Sequence, residues 1–298
     1  MGQVTEHIGA APRHDTATAR RAPLSKRLRR ATGNWAVRLA LAAAVTVALF
    51  PVVWTLLSAL KPATEIFTYP PTFLFSPTLD HFRVVLSGDI AVPMLNTLIV
   101  TVGSAALALT AGSLAGYALA RFQTGVFRAM GLFVFSMRFL PTIVIILPLF
   151  LMYSGIGLSG SRIGLILAYQ LFTLPLAIWI TWGFFAQVPP ELEQAAMIDG
   201  CSRFQAFRHV ALPLALPGIG AAAVVATIMA WNQFLIPLIL GGNEARVITT
   251  EIARYSGGDE VSADWGPLAA LAVVIAGPVI VAGLALNRYL LRGLLRDG

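Results

Sequence analysis

Six runs of about twenty mostly apolar residues, separated by shorter polar stretches, constrain this chain more than any other feature. They lie at about 37–60, 94–120, 129–152, 163–186, 214–240 and 268–288. Each matches the length a helix needs to cross a hydrocarbon core of roughly 30 Å, and none alternates polar and apolar residues as a barrel strand does. Backbone groups in lipid must find their hydrogen bonds internally, so the expected fold class is an all-α membrane protein with a six-helix transmembrane bundle. With 57% hydrophobic and 12% charged residues, a soluble core of this size could not bury the apolar surface. Pro51, Pro141, Pro148, Pro175, Pro217, Pro237 and Pro278 fall inside the runs and predict kinks.

Charge gives an orientation. Fifteen of the 21 basic residues flank one side of the runs: eight from Arg13 to Arg38, then Arg121, Arg128, Arg203, Arg208, Arg288, Arg292 and Arg296. Lys61, Arg83, Arg162, Arg246 and Arg254 fall on the other. Cytoplasmic flanks retain positive charge, so both termini are expected in the cytoplasm, with external loops near 61–93, 153–162 and 241–267. Residues 1–33 are expected to be a disordered basic tail and 34–298 the membrane domain. The first run is too long for a signal-peptide core and reads as a retained span. The net charge of +7 gathers at run ends and not on an aromatic-interleaved face, which excludes nucleic acid as a partner.

The chemistry-bearing residue types are sparse. One cysteine, Cys201, excludes an internal disulfide and a cysteine-based zinc site; no metal centre and no nucleophile–base set is expected, so the chain reads as non-enzymatic. His209, beside Arg208, has no second histidine at ligand spacing and reads as a solvated or interface residue. Neither Lys26 nor Lys61 stands in a phosphate-loop context, so any nucleotide and magnesium chemistry belongs to a partner chain. The six runs contain no Asp or Glu, which disfavours an autonomous ion-coupled transporter or channel.

Five residues are candidates for a substrate pathway. Arg138 sits within the third run, where a guanidinium needs a freed carbonyl near Pro141, cavity water, a second subunit or the substrate; a structural arginine or a different span boundary is the alternative. Trp231, Asn232 and Gln233 would offer a sugar an aromatic platform beside amides, or else Asn232 and Gln233 tie helices together. Gln170 offers the same two readings. Gly112 and Gly116 permit close helix packing.

The cytoplasmic stretch 187–213, containing VPPELEQAAMIDGCSRFQAFRHVALP, reads as two short helices. Pro189 and Pro190 suit a helix start, Gly200 the left-handed residue past a helix end, and Ser202 with Gln205 a capping box opening a second helix toward Val210. Phe204, Phe207 and Ala211 share a face of that helix.

This stretch resembles the conserved cytoplasmic motif of ABC-importer permeases: Glu-Ala-Ala, three residues, Gly, nine residues, Ile, one residue, Leu-Pro. Here Ala195 and Ala196 lead to Asp199 and Gly200, and after nine intervening residues to Val210, Leu212 and Pro213. Pro189–Pro217 and Trp231–Asn232 resemble the MalG-like, carbohydrate-importing branch. The resemblance implies a permease subunit that moves a sugar by alternating access, paired with a second homologous permease, two ATP-binding-cassette ATPase subunits and an external substrate-binding protein. It also implies that Glu193, Gln194, Ala195, Ala196, Asp199, Gly200, Phe204, Phe207, Val210, Leu212 and Pro213 receive the ATPase. Val210 replaces isoleucine conservatively. Gln194 replaces the motif glutamate and cannot form an ion pair, so either Glu193 or Glu191 supplies the charge or an uncharged hydrogen bond serves. Arg138 leaves a sugar phosphate or polyol phosphate open as the alternative cargo. The acidic residues of 241–267 read either as a solvated face or as part of a receptor-facing loop.

Overall fold

The computed structural model describes residues 24–122, 124–256 and 264–294. Most of the expected N-terminal tail therefore lies outside the described residues. The chain divides into two compact units at Val53/Trp54.

The first unit holds most of helix α1 (Leu24–Leu60), which starts ten residues ahead of the expected tail boundary at 33/34. Its opening turns, LSKRLRR, lack Gly and Pro and are made of good helix formers, which explains the early start. From Val37 to Val53 its side chains are exposed, including Val47 and Leu39 at 73% and 67%. A protein core does not cover this face, as befits a helix whose solvent is lipid.

The second unit is built around α3 (Ala91–Arg121). One face of α3 is lined by small residues, Ser104, Ala105, Ala108, Gly112, Ser113 and Gly116, and is buried against α7 (Gln170–Phe185) and α10 (Leu212–Trp231). The glycines are needed there. A Cβ on Gly112 would stand 2.7 Å from the Ala177 Cβ, and one on Gly116 would overlap the Thr181 hydroxyl. That closeness lets the Thr181 hydroxyl donate across to the Gly112 carbonyl at 2.9 Å. Gly218 of α10 similarly leaves room for the Phe184 ring. Leu98, Val102 and Leu114 on the opposite side of α3 remain exposed.

All six apolar runs are helical, but three are interrupted. The run 129–152 comprises α4 (Gly125–Ser136), a 3-10 turn (Met137–Phe139) and α5 (Thr142–Gly155). The break is at Leu140, whose backbone is extended (φ −73°, ψ 121°), because the Pro141 ring disfavours helical geometry in the residue before it. The run 163–186 is bent by 45° between α6 (Arg162–Ala168) and α7. The run 214–240 stops at Trp231 and resumes as α11 (Leu235–Leu240). The last run lies in α13 (Trp265–Leu294). Among the described residues, three helices are long and apolar enough to cross a membrane alone (Val37–Leu60, Ala91–Arg121 and Arg203–Trp231), and the bent α6–α7 pair makes a fourth.

The end of the unit remote from Arg121 is closed by polar ties. Asn96, fully buried, donates to the carbonyls of Glu244 and Arg246 (3.0 and 2.8 Å) and accepts from Arg162 Nε (2.7 Å). The Thr97 hydroxyl accepts the Ile248 N–H at 2.8 Å. Short helices α2 (Asp80–Ser87) and α12 (Ile252–Tyr255) complete this end, where Arg246 and Arg254 flank the buried Glu251 carboxylate.

Candidate functional site: the loop between α7 and α10

Helix α8 (Pro190–Ile198) opens with Pro190 in its first turn, where the missing N–H costs nothing. It ends at Asp199. Gly200 follows with φ +92°, a left-handed conformation a side chain would strain, while the Gly200 and Cys201 N–H groups close the helix on the carbonyls of Met197 and Ala196. Ser202 then forms the expected capping box: its N–H donates to Gln205 Oε1 at 2.7 Å, and the Gln205 N–H donates to Ser202 Oγ at 3.3 Å.

The second helix does not end near Val210. Helix α9 (Arg203–Ala206) passes through a π turn (Phe207–Ala211) straight into α10, giving one helix from Arg203 to Trp231. The Leu212 N–H reaches back five residues to the Phe207 carbonyl. This wider turn immediately precedes Pro213, which lacks an N–H and whose ring would crowd the preceding turn of an ordinary helix.

The loop is held by a clamp of buried polar groups. Glu193, 5% exposed, points inward, and its carboxylate accepts from the Tyr117 hydroxyl (2.6 Å) and from Arg121 Nε (2.7 Å). The same Arg121 guanidinium donates to the carbonyls of Phe185 (3.1 Å), the last residue of α7, and Val188 (3.0 Å), three residues beyond it. A planar five-donor fork is what this task requires, since one cation serves three acceptors on two segments. Phe207 lies against both Tyr117 and Phe185, with ring centroids 4.7 and 6.0 Å away, and Ala211 and Ala215 complete the apolar seat.

This arrangement corrects one expectation. Glu193 is not available to replace the motif glutamate toward another protein, because its carboxylate is already engaged inside the chain. The outward surface carries Glu191, Gln194, Ala195 and Asp199, with Leu192, Met197, Ile198 and Phe204 exposed at 46, 36, 86 and 64%. Pro213 is also exposed, Ala196, Val210 and Leu212 are half-buried, and Phe207 is buried. An apolar surface carrying Glu191, Gln194 and Asp199, with Arg203, Arg208 and His209 exposed on the second helix, can dock a protein.

The other candidates are not gathered into one place. Arg138 stands in the 3-10 turn at the α4/α5 break and not mid-helix; its side chain lies outside the described residues. Gln170 donates to the carbonyls of Ser104 (3.2 Å) and Ile166 (2.8 Å), which makes it a tie between α3 and the bend. Trp231 is buried and donates its indole N–H to the Ile275 carbonyl of α13 at 3.0 Å. Asn232 is exposed and bonds back to Ile228, while the Gln233 carbonyl accepts the Thr249 hydroxyl. Sequence reasoning missed Tyr117 and Arg121 as partners of the loop. Their i, i+4 spacing at the end of the second run was visible, but nothing in it names the acceptor.

Comparison with known proteins identifies the family. Residues 108–296 match the family model described as "Binding-protein-dependent transport system inner membrane component". The chain is 36% identical to the trehalose transport system permease protein SugB of Mycobacterium tuberculosis (strain CDC 1551 / Oshkosh), over 89% of this chain and 96% of that one. It is 33% identical to the diacetylchitobiose uptake system permease protein NgcG of Streptomyces coelicolor (strain ATCC BAA-471 / A3(2) / M145), over 81% of each. A chain from a bacterial ABC transporter involved in the import of the acidic polysaccharide alginate shares the fold, with TM-score 0.69 at 20% identity over 88% of this chain and 98% of that one. The chain therefore belongs to the family of binding-protein-dependent transport system inner membrane components.

Proposed function

We propose that this chain is a permease subunit of an ATP-driven importer, resident in a bacterial cytoplasmic membrane, that passes a neutral sugar inward by alternating access. The observation that carries the reading is the loop 187–213: a capped two-helix element, continuous with α10 and clamped to α3, presents an apolar outer surface for a second protein. In this reading an ATPase docks on Leu192, Ile198 and Phe204, supported by Gln194 and Asp199, and ATP hydrolysis resides in that partner. Two such ATPases, a second homologous permease and an external receptor complete the assembly. Both termini face the cytoplasm, consistent with the basic flanks. The sugar class follows from the relatives named for trehalose and diacetylchitobiose.

A relative named as a sulfoquinovosyl glycerol transport system permease, 33% identical over 84% of this chain, favours one second reading: an anionic sugar derivative, with Arg138 as its counter-charge.

The test is uptake into proteoliposomes holding this chain with its partner permease, ATPase and receptor. Accumulation of a labelled neutral disaccharide only when ATP and receptor are both present is the expected outcome. Gradient-driven flux through this chain alone would overturn it. Preference of the receptor for a phosphorylated or sulfonated sugar would move the cargo to the second reading.

A further inference from the structure

We infer that Arg121 is a positioning residue that carries displacement of the loop into α3, so that α8, the end of α7 and the end of α3 move as one body. The inference rests on the proposed function and adds the route by which the stroke reaches the centre of the unit.

Peptide connectivity alone links α8 to α7 and α9 to α10. It gives α3 no connection to the loop, although α3 is the helix on which both α7 and α10 are packed. The polar connection to α8 and the end of α7 is made by the two bonds from Tyr117 and Arg121 to Glu193 and the two from Arg121 to Phe185 and Val188, while Phe207 against Tyr117 and Arg203 over Phe122 add ring contacts to the second helix of the loop. The side chains of Arg121 and Glu193 are 14% and 6% exposed, so water does not compete freely for the pair. On the far side of this clamp, α3 and α7 are already locked by the Gly112–Ala177 and Gly116–Thr181 approaches and the Thr181–Gly112 hydrogen bond. A push on α8 is therefore delivered to a rigid α3–α7 pair. A push on α9 runs directly into α10 through the π turn. Gly200, at φ +92° with open space around its Cα, separates the two inputs.

The experiment compares the complete reconstituted transporter carrying wild-type chain, Arg121→Met, Arg121→Lys or Tyr117→Phe, and measures sugar moved per ATP hydrolysed alongside co-purification of the ATPase. Asn96→Ala, which cuts ties at the opposite end of α3, serves as the stability control. Co-purification is expected to persist, with the transport-to-hydrolysis ratio falling roughly tenfold in Arg121→Met, less in Arg121→Lys and least in Tyr117→Phe. Asn96→Ala is expected to lower the melting temperature without changing the ratio. A wild-type ratio in Arg121→Lys and Tyr117→Phe complexes that assemble would overturn the inference, as would loss of ATPase association in all three clamp variants. Absence of ATP-driven uptake by the wild-type assembly would remove the proposed function and the inference with it. A normal wild type beside unaffected variants would remove the inference alone.

Discussion

At the scale of single residues, the chain depends on a few positions where one atom too many or one charge too few has no remedy. Gly116 is the sharpest steric case, because an added methyl would meet the Thr181 hydroxyl and, at 2.8 Å, the Trp182 backbone nitrogen. Gly116→Val should cost about 3 kcal/mol or more through overpacking between α3 and α7 and should lower the detergent-solubilised melting temperature accordingly. Arg121→Met leaves the Glu193 carboxylate buried without its cation, a loss of roughly 3–5 kcal/mol in systems where such pairs have been broken. Equilibrium unfolding in mixed micelles would register it, and Glu193→Gln should cost less, because Arg121 keeps the Phe185 and Val188 carbonyls and an amide oxygen as acceptors. Much at this scale was legible: Gly200 and the Ser202–Gln205 box follow from local backbone demands that a sequence states directly. The partnership of Glu193 with Arg121 was not, because the two residues are far apart in sequence and meet only through packing. Trp231 was misleading for the same reason, since an indole in an apolar run can face a pathway or a neighbouring carbonyl, and here it faces Ile275.

At the scale of elements, apolar length located the runs but not their interruptions. The break at Leu140–Pro141 could be read from proline stereochemistry, yet the bend at Tyr169 lies next to no proline and is marked instead by Gln170 bonding to the Ile166 carbonyl. The continuity of α9 with α10 was hidden because Pro213 and Pro217 suggest a boundary, whereas a π turn absorbs the first and the second lies inside the helix. The cap that begins this long helix is open to test. Ser202→Ala should remove about 1 kcal/mol from its first turn. The readout is faster amide hydrogen exchange over 203–206, with protection in 218–230 unchanged. Gly200→Val, which forces a β-branched residue into a left-handed conformation, should cost about 1–2 kcal/mol and disturb the turn between α8 and α9; a fall in ATPase co-purification would check it.

At the scale of the whole molecule, the exposed apolar flank of α1 and the exposed face of α3 call for lipid or for another membrane chain. Family membership was visible because the loop motif is local and contiguous, while Gln170 and Trp231 turned out to tie helices at separate places. The corresponding expectation is that the purified chain alone shows no ATP hydrolysis and no receptor-stimulated uptake, and acquires both when its ATPase and second permease are added; a coupled uptake assay in proteoliposomes decides this.

The five-residue turn at Phe207–Ala211 has a geometric corollary. An α-helix advances about 100° per residue, so a segment that spends one surplus residue in a wide turn resets the angular phase of everything before it. Excising a single amino acid there would leave the hydropathy profile of the chain almost untouched. It would nonetheless swing Phe204 and the segment ahead of it about a quarter-turn around the axis of α10, pointing the docking face in a new direction.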